Sequence, residues 1–362
     1  MILRFEYRTK DGKLLDGISG GNLTYTIANS VKSAGKIKLT EPWRVGLQDR
    51  TRWLDEEISI TAFKDDYPIP LGVFVPSLPE STFTTGALVT EIDLLDRLTV
   101  LDQDLYERTF SVGSGGGTVS PLGVVNQILG DWSHLTAYSN INYAQFKINR
   151  YWDPGTSKLK IINDLLDVSG HFSLWVDGRG NFHVDGFTEP LKRPVTQHFD
   201  YGGLNELKSR KQDLFSVPNK FIAVGESQES AAALVGTAYN RDANSPFSYQ
   251  NRGRWITEIE QWVVGATQDI LDAYAIQRLD SLTGASTTYT VEHILTDPLL
   301  NARVQVDHAP LGINEDFVVQ RIEVPLDSTK LTKSTIREIT GGIVNEQRRP
   351  SGANTGSSPQ DN

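Results

Sequence analysis

Short runs in which apolar and polar residues alternate recur along most of the chain, and this period-two pattern restricts the fold to one built mainly from half-buried β-strands. Leu3, Phe5 and Tyr7 alternate with charged neighbours before an Asp11-Gly12 turn signal, and Leu23, Tyr25 and Ile27 repeat the pattern. Ile37 with Leu39, Ile58 with Ile60, Val73 with Val75, and the stretch through Leu88, Glu91 and Asp93 follow, separated by Pro-rich or Asp-rich breaks such as 64–68 (KDDYP). Residues 1–108 are therefore expected to hold six or seven short strands in a barrel or sandwich.

The alternation stops at 111–118 (SVGSGGGT), a glycine run too flexible for a regular element. A helix is predicted after it, from Ser120 to Trp132, with Ser120 as N-cap and Pro121 in the first turn. A second helix is predicted over 157–168, where Leu159, Ile162 and Leu166 form one stripe and Ile161, Leu165 and Val168 another, so that both sides are buried. Phe172, Leu174 and Val176 then lead into the turn at 177–180 (DGRG), with Phe182 and Val184 returning as a hairpin. Residues 109–190 are expected to form a small α/β insert.

Strands resume in 191–343, at 219–224, 256–264, 287–294, 304–306, 317–324 and 335–339. One helix interrupts them at 267–283, capped by a hydroxyl, with Asp269 in its first turn and the stripe Leu271, Tyr274, Arg278, Leu282. Residues 226–265 form a candidate insertion within this second β domain. The stretch 344–362 ends in polar and small residues and is expected to be disordered.

Composition removes several functions. The 362 residues include no cysteine, which excludes disulfide frameworks, thiol nucleophiles and Cys-based zinc sites. The formal charge is −10 with dispersed Lys and Arg, a poor match to phosphate backbones. No apolar run approaches the length of a membrane-spanning helix, and the first residues lack a signal-peptide pattern.

Candidate sites are weak. The histidines at 134, 171, 183, 198, 293 and 308 show no paired metal-ligand spacing, and His183 with Asp185 on one strand face lacks a third ligand. A solvent-facing hairpin histidine is the simpler expectation for His183. Gly113 to Gly117 is followed by Thr118-Val119-Ser120 rather than the Lys-Ser/Thr pair of a phosphate loop. The acidic string Glu91, Asp93, Asp96, Asp102, Asp104 and Glu107 offers carboxylate pairs, but so does any acidic chain, and no nucleophile elbow is present. No catalytic, cofactor or metal residue is assigned, and the chain is expected to be non-enzymatic. A competing expectation makes Trp132, Tyr138, Tyr143, Tyr151 and Trp152 a carbohydrate-binding face, and a second makes the chain a cell-wall hydrolase.

Several ordered segments carry a resemblance: 34–40 (AGKIKLT), 53–60 (WLDEEISI), 70–75 (PLGVFV), 93–104 (DLLDRLTVLDQD), 165–180 (LLDVSGHFSLWVDGRG), 217–220 (VPNK) and 297–301 (DPLLN). In this order they resemble the minor tail proteins of long-tailed bacteriophages, the tail-tip or baseplate hub family, across roughly residues 30–340. The resemblance implies an α+β, β-rich chain with two tail-tube-like β-barrel domains, 1–108 and 191–343, and a small α/β insert. It implies a virion protein assembled in the host cytoplasm, a homotrimer forming a pseudo-sixfold ring that continues or closes the tail tube. Expected partners are a distal tail protein, the tail tube or tape-measure protein, and other tail-tip or fibre proteins; genomic DNA would pass without specific binding, and the chain would not insert into membrane. Hub families often carry a lysin or fibre domain after the hub, and the polar tail in that place implies that lysis and host recognition belong to other proteins.

Overall fold

The computed structural model describes residues 3–28, 31–42, 56–84, 86–113, 117–130, 136–137, 144–148, 150–202, 206–213, 215–225, 233–263, 267–284, 287–339 and 343–344. The first six strands are β1 (Leu3–Arg8), β2 (Ile18–Thr26), β3 (Ser33–Pro42), β4 (Ile58–Lys64), β5 (Tyr67–Thr84) and β6 (Ala87–Asp96). They pair antiparallel in the order β1-β4-β5-β6-β3-β2. Asp65 and Asp66, both with positive φ (46° and 69°), form the two-residue loop between Lys64 and its partner Tyr67. Two left-handed residues match the twist of the flanking strands, so what the sequence suggests is a break is a tight hairpin. Pro68, Pro70 and Pro76 lie inside β5, whose register shifts at Ile60/Thr61 against β4 and at Ser77/Glu80 against β6. Such irregular pairing is where a strand tolerates a residue without an N–H donor.

The segment after β6 is helical earlier than expected. Helix α1 (Leu98–Gln103) begins where the Asp96 carboxylate accepts a hydrogen bond from the Leu98 amide (2.9 Å). Then come β7 (Phe110–Val112), β8 (Thr118–Val119), α2 (Pro121–Leu129), β9 (Thr136–Ala137), β10 (Phe146–Lys147), β11 (Arg150–Trp152), α3 (Lys158–Val168), β12 (Trp175–Val176) and β13 (Phe182–Val184). Ser120 and Ser157 cap α2 and α3, accepting from the amides of Gly123 and Lys160. Helix α2 stops at Leu129, short of the expected Trp132, because Gly130 takes a positive φ of 50°. Both predicted stripes of α3 are buried. Leu159, Ile161, Ile162, Leu165 and Leu166 pack with Leu98, Leu122, Val125, Trp152, Leu174 and Phe182 in one apolar core that starts at Leu98.

Two strands absent from the sequence expectation come next, β14 (Val195–Asp200) and β15 (Glu206–Gln212). The chain then builds a separate compact unit from β16 (Lys220–Gly225), β17 (Val235–Asn240), a short helix α4 (Tyr249–Arg252), β18 (Thr257–Val263) and α5 (Gln268–Gly284). Its sheet has the order β18-β16-β17-β23, where β23 is Ile343–Val344. Helix α5, capped by the Thr267 hydroxyl, buries Leu271, Ala275 and Leu279. Tyr274, expected on the apolar stripe, packs against that core while its hydroxyl bonds Glu260 of β18 at 2.8 Å, and Arg278, expected on the same stripe, pairs with the same carboxylate at 3.3 Å.

The first unit is completed by β19 (Thr287–His293), β20 (Arg303–His308), β21 (Ile313–Pro325) and β22 (Thr332–Glu338). Strand β21 joins the two β halves. One of its edges pairs with β20 through residues 313–318 and, further along, with β2 through residues 321–325, while β22 lies on the other edge. The result is a single twelve-stranded sheet over one continuous core. No closed barrel is formed among the described residues, but the sheet curls strongly. The buried Tyr25 hydroxyl of β2 donates to the Leu71 carbonyl of β5, three strands away, at 2.6 Å. The tail at 345–362 lies outside the described residues.

Candidate assembly and recognition surfaces

Opposite its apolar core, the large sheet carries a ladder of charge. Lys36 and Lys38 on β3 face Asp93 and Glu91 on β6 in register, with Nζ to carboxylate distances of 3.0 and 2.5 Å. Arg321 pairs with Glu323 along β21 (2.9 Å). Glu292 of β19 lies between Lys333 of β22 and Lys208 of β15, at 3.2 Å from each, and Lys208 also reaches Glu206 at 2.6 Å. The hydrogen bond from Lys38 holds Glu91 below the usual glutamate range. Partial burial would raise Glu292, but the two lysines bring it below that range too. Glu91 and Glu292 are therefore ionised at neutral pH. Exposed pairs of this kind contribute little stability, but they fix cross-strand register and keep the face wet.

The acidic string thus divides into structural roles. Glu91 and Asp93 face solvent, whereas Asp96 points inward and accepts from the Ser33 amide (2.7 Å), the Ser33 hydroxyl and the Leu98 amide. Burial pushes the Asp96 carboxyl above its ordinary value despite these donors. Asp104 pairs with Lys158 (2.5 Å), and Asp102 accepts from the hydroxyl of Ser157 at the start of α3. None of these contacts presents two carboxylates across an open cleft.

His183 corrects the sequence expectation. It is buried rather than solvent-facing, stacked on Trp175 with 4.6 Å between ring centroids, and its Nε2 lies 2.9 Å from Asp177 Oδ2 in the hairpin turn. Asp185 is occupied by the Trp175 indole N–H at 2.8 Å. Burial alone would raise Asp177, but His183 and the turn amides hold it below the ordinary aspartate range. The pair locks a hairpin. Among the described residues no cluster of three metal-ligating side chains exists. Gly113, with φ of 75°, sits so close to the Ile148 carbonyl that no side chain fits there; the glycines at 114–116 lie outside the described residues.

Of the aromatic residues proposed for a carbohydrate face, Trp132, Tyr138 and Tyr143 lie outside the described residues. Trp152 is buried, its indole N–H donating to Asp164, and Tyr151 is exposed, at 71%. Sequence reasoning missed a different group on the second unit, Tyr239, Tyr249 and Trp255, whose stacking needs the folded loop to appear.

A β-rich fold of this kind, with a twelve-stranded sheet continued through a long central strand, a helix-bearing insert and a separate unit carrying a small sheet, recurs in solved tail proteins. The tail protein from Neisseria meningitidis MC58 is similar over 94% of this chain and 98% of its own, with a TM-score of 0.67 and 11% identity. The prophage MuSo2 43 kDa tail protein from Shewanella oneidensis is similar over 92% and 98%, with a TM-score of 0.65 and 11% identity. The prophage tail protein gp18 from Listeria monocytogenes EGD-e is similar over 93% and 95%, with a TM-score of 0.54 and 12% identity. At these identities the likeness is one of fold, and it agrees with the tail-tip hub resemblance. No protein-family model and no curated protein sequence matches the chain.

Proposed function

We propose that this chain is a non-enzymatic structural hub at the distal end of a phage tail, three copies forming a pseudo-sixfold ring that continues or closes the tube. The observation that carries this reading is the twelve-stranded sheet in which β21 fuses two strand-built halves, together with a fold shared along more than nine-tenths of the chain with tail proteins. Each half would be one tube-like module, and the curl marked by the Tyr25 to Leu71 hydrogen bond supports a wall that bends around a passage. In this reading the α/β insert, 109–190, is peripheral to the sheet.

Edges of the sheet, such as β15 with its exposed Lys208, Arg210 and Lys211, would pair with neighbouring subunits, leaving no strand edge open in the ring. The virion, a distal tail protein, the tube or tape-measure protein and fibre components are the proposed setting. DNA would pass without specific binding. Three copies of a −10 chain repel phosphate as a body, while the balanced ladder of Lys and carboxylate on the sheet face offers no continuous basic track. Mass photometry tests the ring: a particle near three times the 40.2 kDa chain mass, with a central hole in electron micrographs, is expected. A strict monomer both alone and in isolated tails would overturn the proposal, and a cleared band on a cell-wall zymogram would overturn its non-enzymatic part.

A further inference from the structure

In the second unit the chain between β17 and β18 presents three aromatic rings together. Tyr249 stacks on Trp255 with centroids 4.5 Å apart and planes inclined by 27°, and Tyr239 meets the same indole edge-on at 5.3 Å. Tyr249 is 40% exposed. Cations surround the group: the Arg241 guanidinium lies 5.7 Å from the ring centres of both Tyr239 and Trp255, and Lys220 lies 5.5 Å from Tyr239. Arg254, exposed, adjoins Trp255 in sequence. Residues 239–255 hold three arginines against a single aspartate, in a chain whose net charge is −10. Positive charge is thus concentrated where aromatic surface is exposed.

The loop is held more firmly than a solvated connection requires. Asn219 and Asn240 are fully buried beneath it. The Asn219 side chain donates to the Arg254 carbonyl (2.9 Å) and accepts from the Ile256 amide (2.8 Å), fixing the backbone on both sides of Trp255. Asn240 donates to the Ser245 hydroxyl (3.0 Å) and accepts from the Asp242 amide. The Asn251 side chain closes the loop by donating to the Ala243 and Ser245 carbonyls. Burying two amides and bonding them to backbone groups and the Ser245 hydroxyl fixes the rings before any ligand arrives, which lowers the entropy lost on binding.

We propose that Tyr239, Tyr249 and Trp255, with Arg241 and Arg254 at their margin, bind an acidic oligosaccharide. A pyranose ring with equatorial hydroxyls presents a flat face of C–H groups that stacks on an exposed aromatic ring, while a carboxylate or phosphate substituent takes the guanidinium. A nucleic acid would also stack and pair, but it carries one phosphate per nucleotide and would be repelled by the acidic body beyond the patch. A protein partner would need an interface of roughly 800 Å² on this side, more than a three-ring platform offers. The inference concerns a site separate from the strand edges invoked for the ring, so ring assembly measured by mass photometry is an independent outcome.

The full chain is applied to an array of oligosaccharides bearing uronate, sialate or phosphate groups, beside neutral oligosaccharides of equal length and oligothymidylate. The acidic probe retained best is then titrated by calorimetry. Expected are retention of acidic over neutral sugars and weakening of binding in high salt. Trp255→Ala and Tyr249→Ala should each weaken binding at least about tenfold, and Arg254→Gln about threefold, in variants that keep the parent melting temperature. Tyr249 is exposed enough that its truncation leaves the fold intact, so the test stands even where Trp255→Ala does not fold. Retention of no acidic sugar, equal retention of neutral sugars, undiminished binding by Tyr249→Ala, or preferential capture of oligothymidylate would each overturn the proposal.

Discussion

His293 shows how one buried polar residue is accommodated in an apolar sheet core. Its Nδ1 donates to the Ile294 carbonyl (2.7 Å), its Nε2 accepts from the Ser334 hydroxyl (2.8 Å), and its ring touches Phe199 beside a small cavity of about 120 Å³. Burial holds the residue below its ordinary value near 6.5, outweighing the Ile294 carbonyl, which favours the charged form. A depressed histidine binds fewer protons folded than unfolded, so its contribution is complete above pH 6.5 and declines as pH falls toward the folded value. His171 is depressed by burial in the same sense. His293→Gln should lose about 1–3 kcal/mol at pH 7.5. Its stability should also fall less steeply below pH 6.5 than that of the parent, as read by chemical denaturation across a pH series. A parallel pH slope would show that His293 is not the titrating group.

Among the elements, β5 departs furthest from its sequence pattern. Its prolines suggest punctuation, yet it runs for 18 residues by placing register shifts against both neighbours. Within it the fully buried Phe74 ring lies over Gly72, where an added Cβ would stand 2.5 Å from the ring. Gly72→Ala should therefore cost about 1–3 kcal/mol by overpacking. Adding Phe74→Leu should cost less than the two single losses combined, and strict additivity in a double-mutant cycle would refute the contact. The helices were more legible, because Ser120, Ser157 and Thr267 are local caps that act within three residues of themselves. Helix α1 went unseen because it has no side-chain cap, and Asp96, which receives the Leu98 amide, also closes a strand and bonds to Ser33, 63 residues away.

For the whole molecule, the two β halves of the first unit share one core, distinct from the core of the helical insert. Leu23, Tyr25 and Ile37 from the N-terminal half share a cluster with Phe317, Ile322 and Val324 from the C-terminal half, and β2 pairs directly with β21. A fragment of residues 1–108 would expose the β2 edge and half of that core. It is expected to show poorly dispersed amide resonances and no cooperative melting transition, whereas the full chain melts the two halves together. A well-dispersed, cooperatively melting fragment would show that the halves stand alone.

What the sequence by itself determined is short in range: the period-two strands, the hydroxyl caps, the Asp177-Gly178 hairpin and the two-sided burial of α3. Each depends on backbone geometry and solvent exposure within a few residues. Only the tertiary structure decided that β21 joins β2, that His183 turns inward to Asp177, and that Tyr249 and Trp255 stack above two buried asparagines. Those outcomes hang on register and on which way side chains turn once the strands and loops have packed, and alternation along a strand specifies which face a residue occupies without specifying which strand lies beside it.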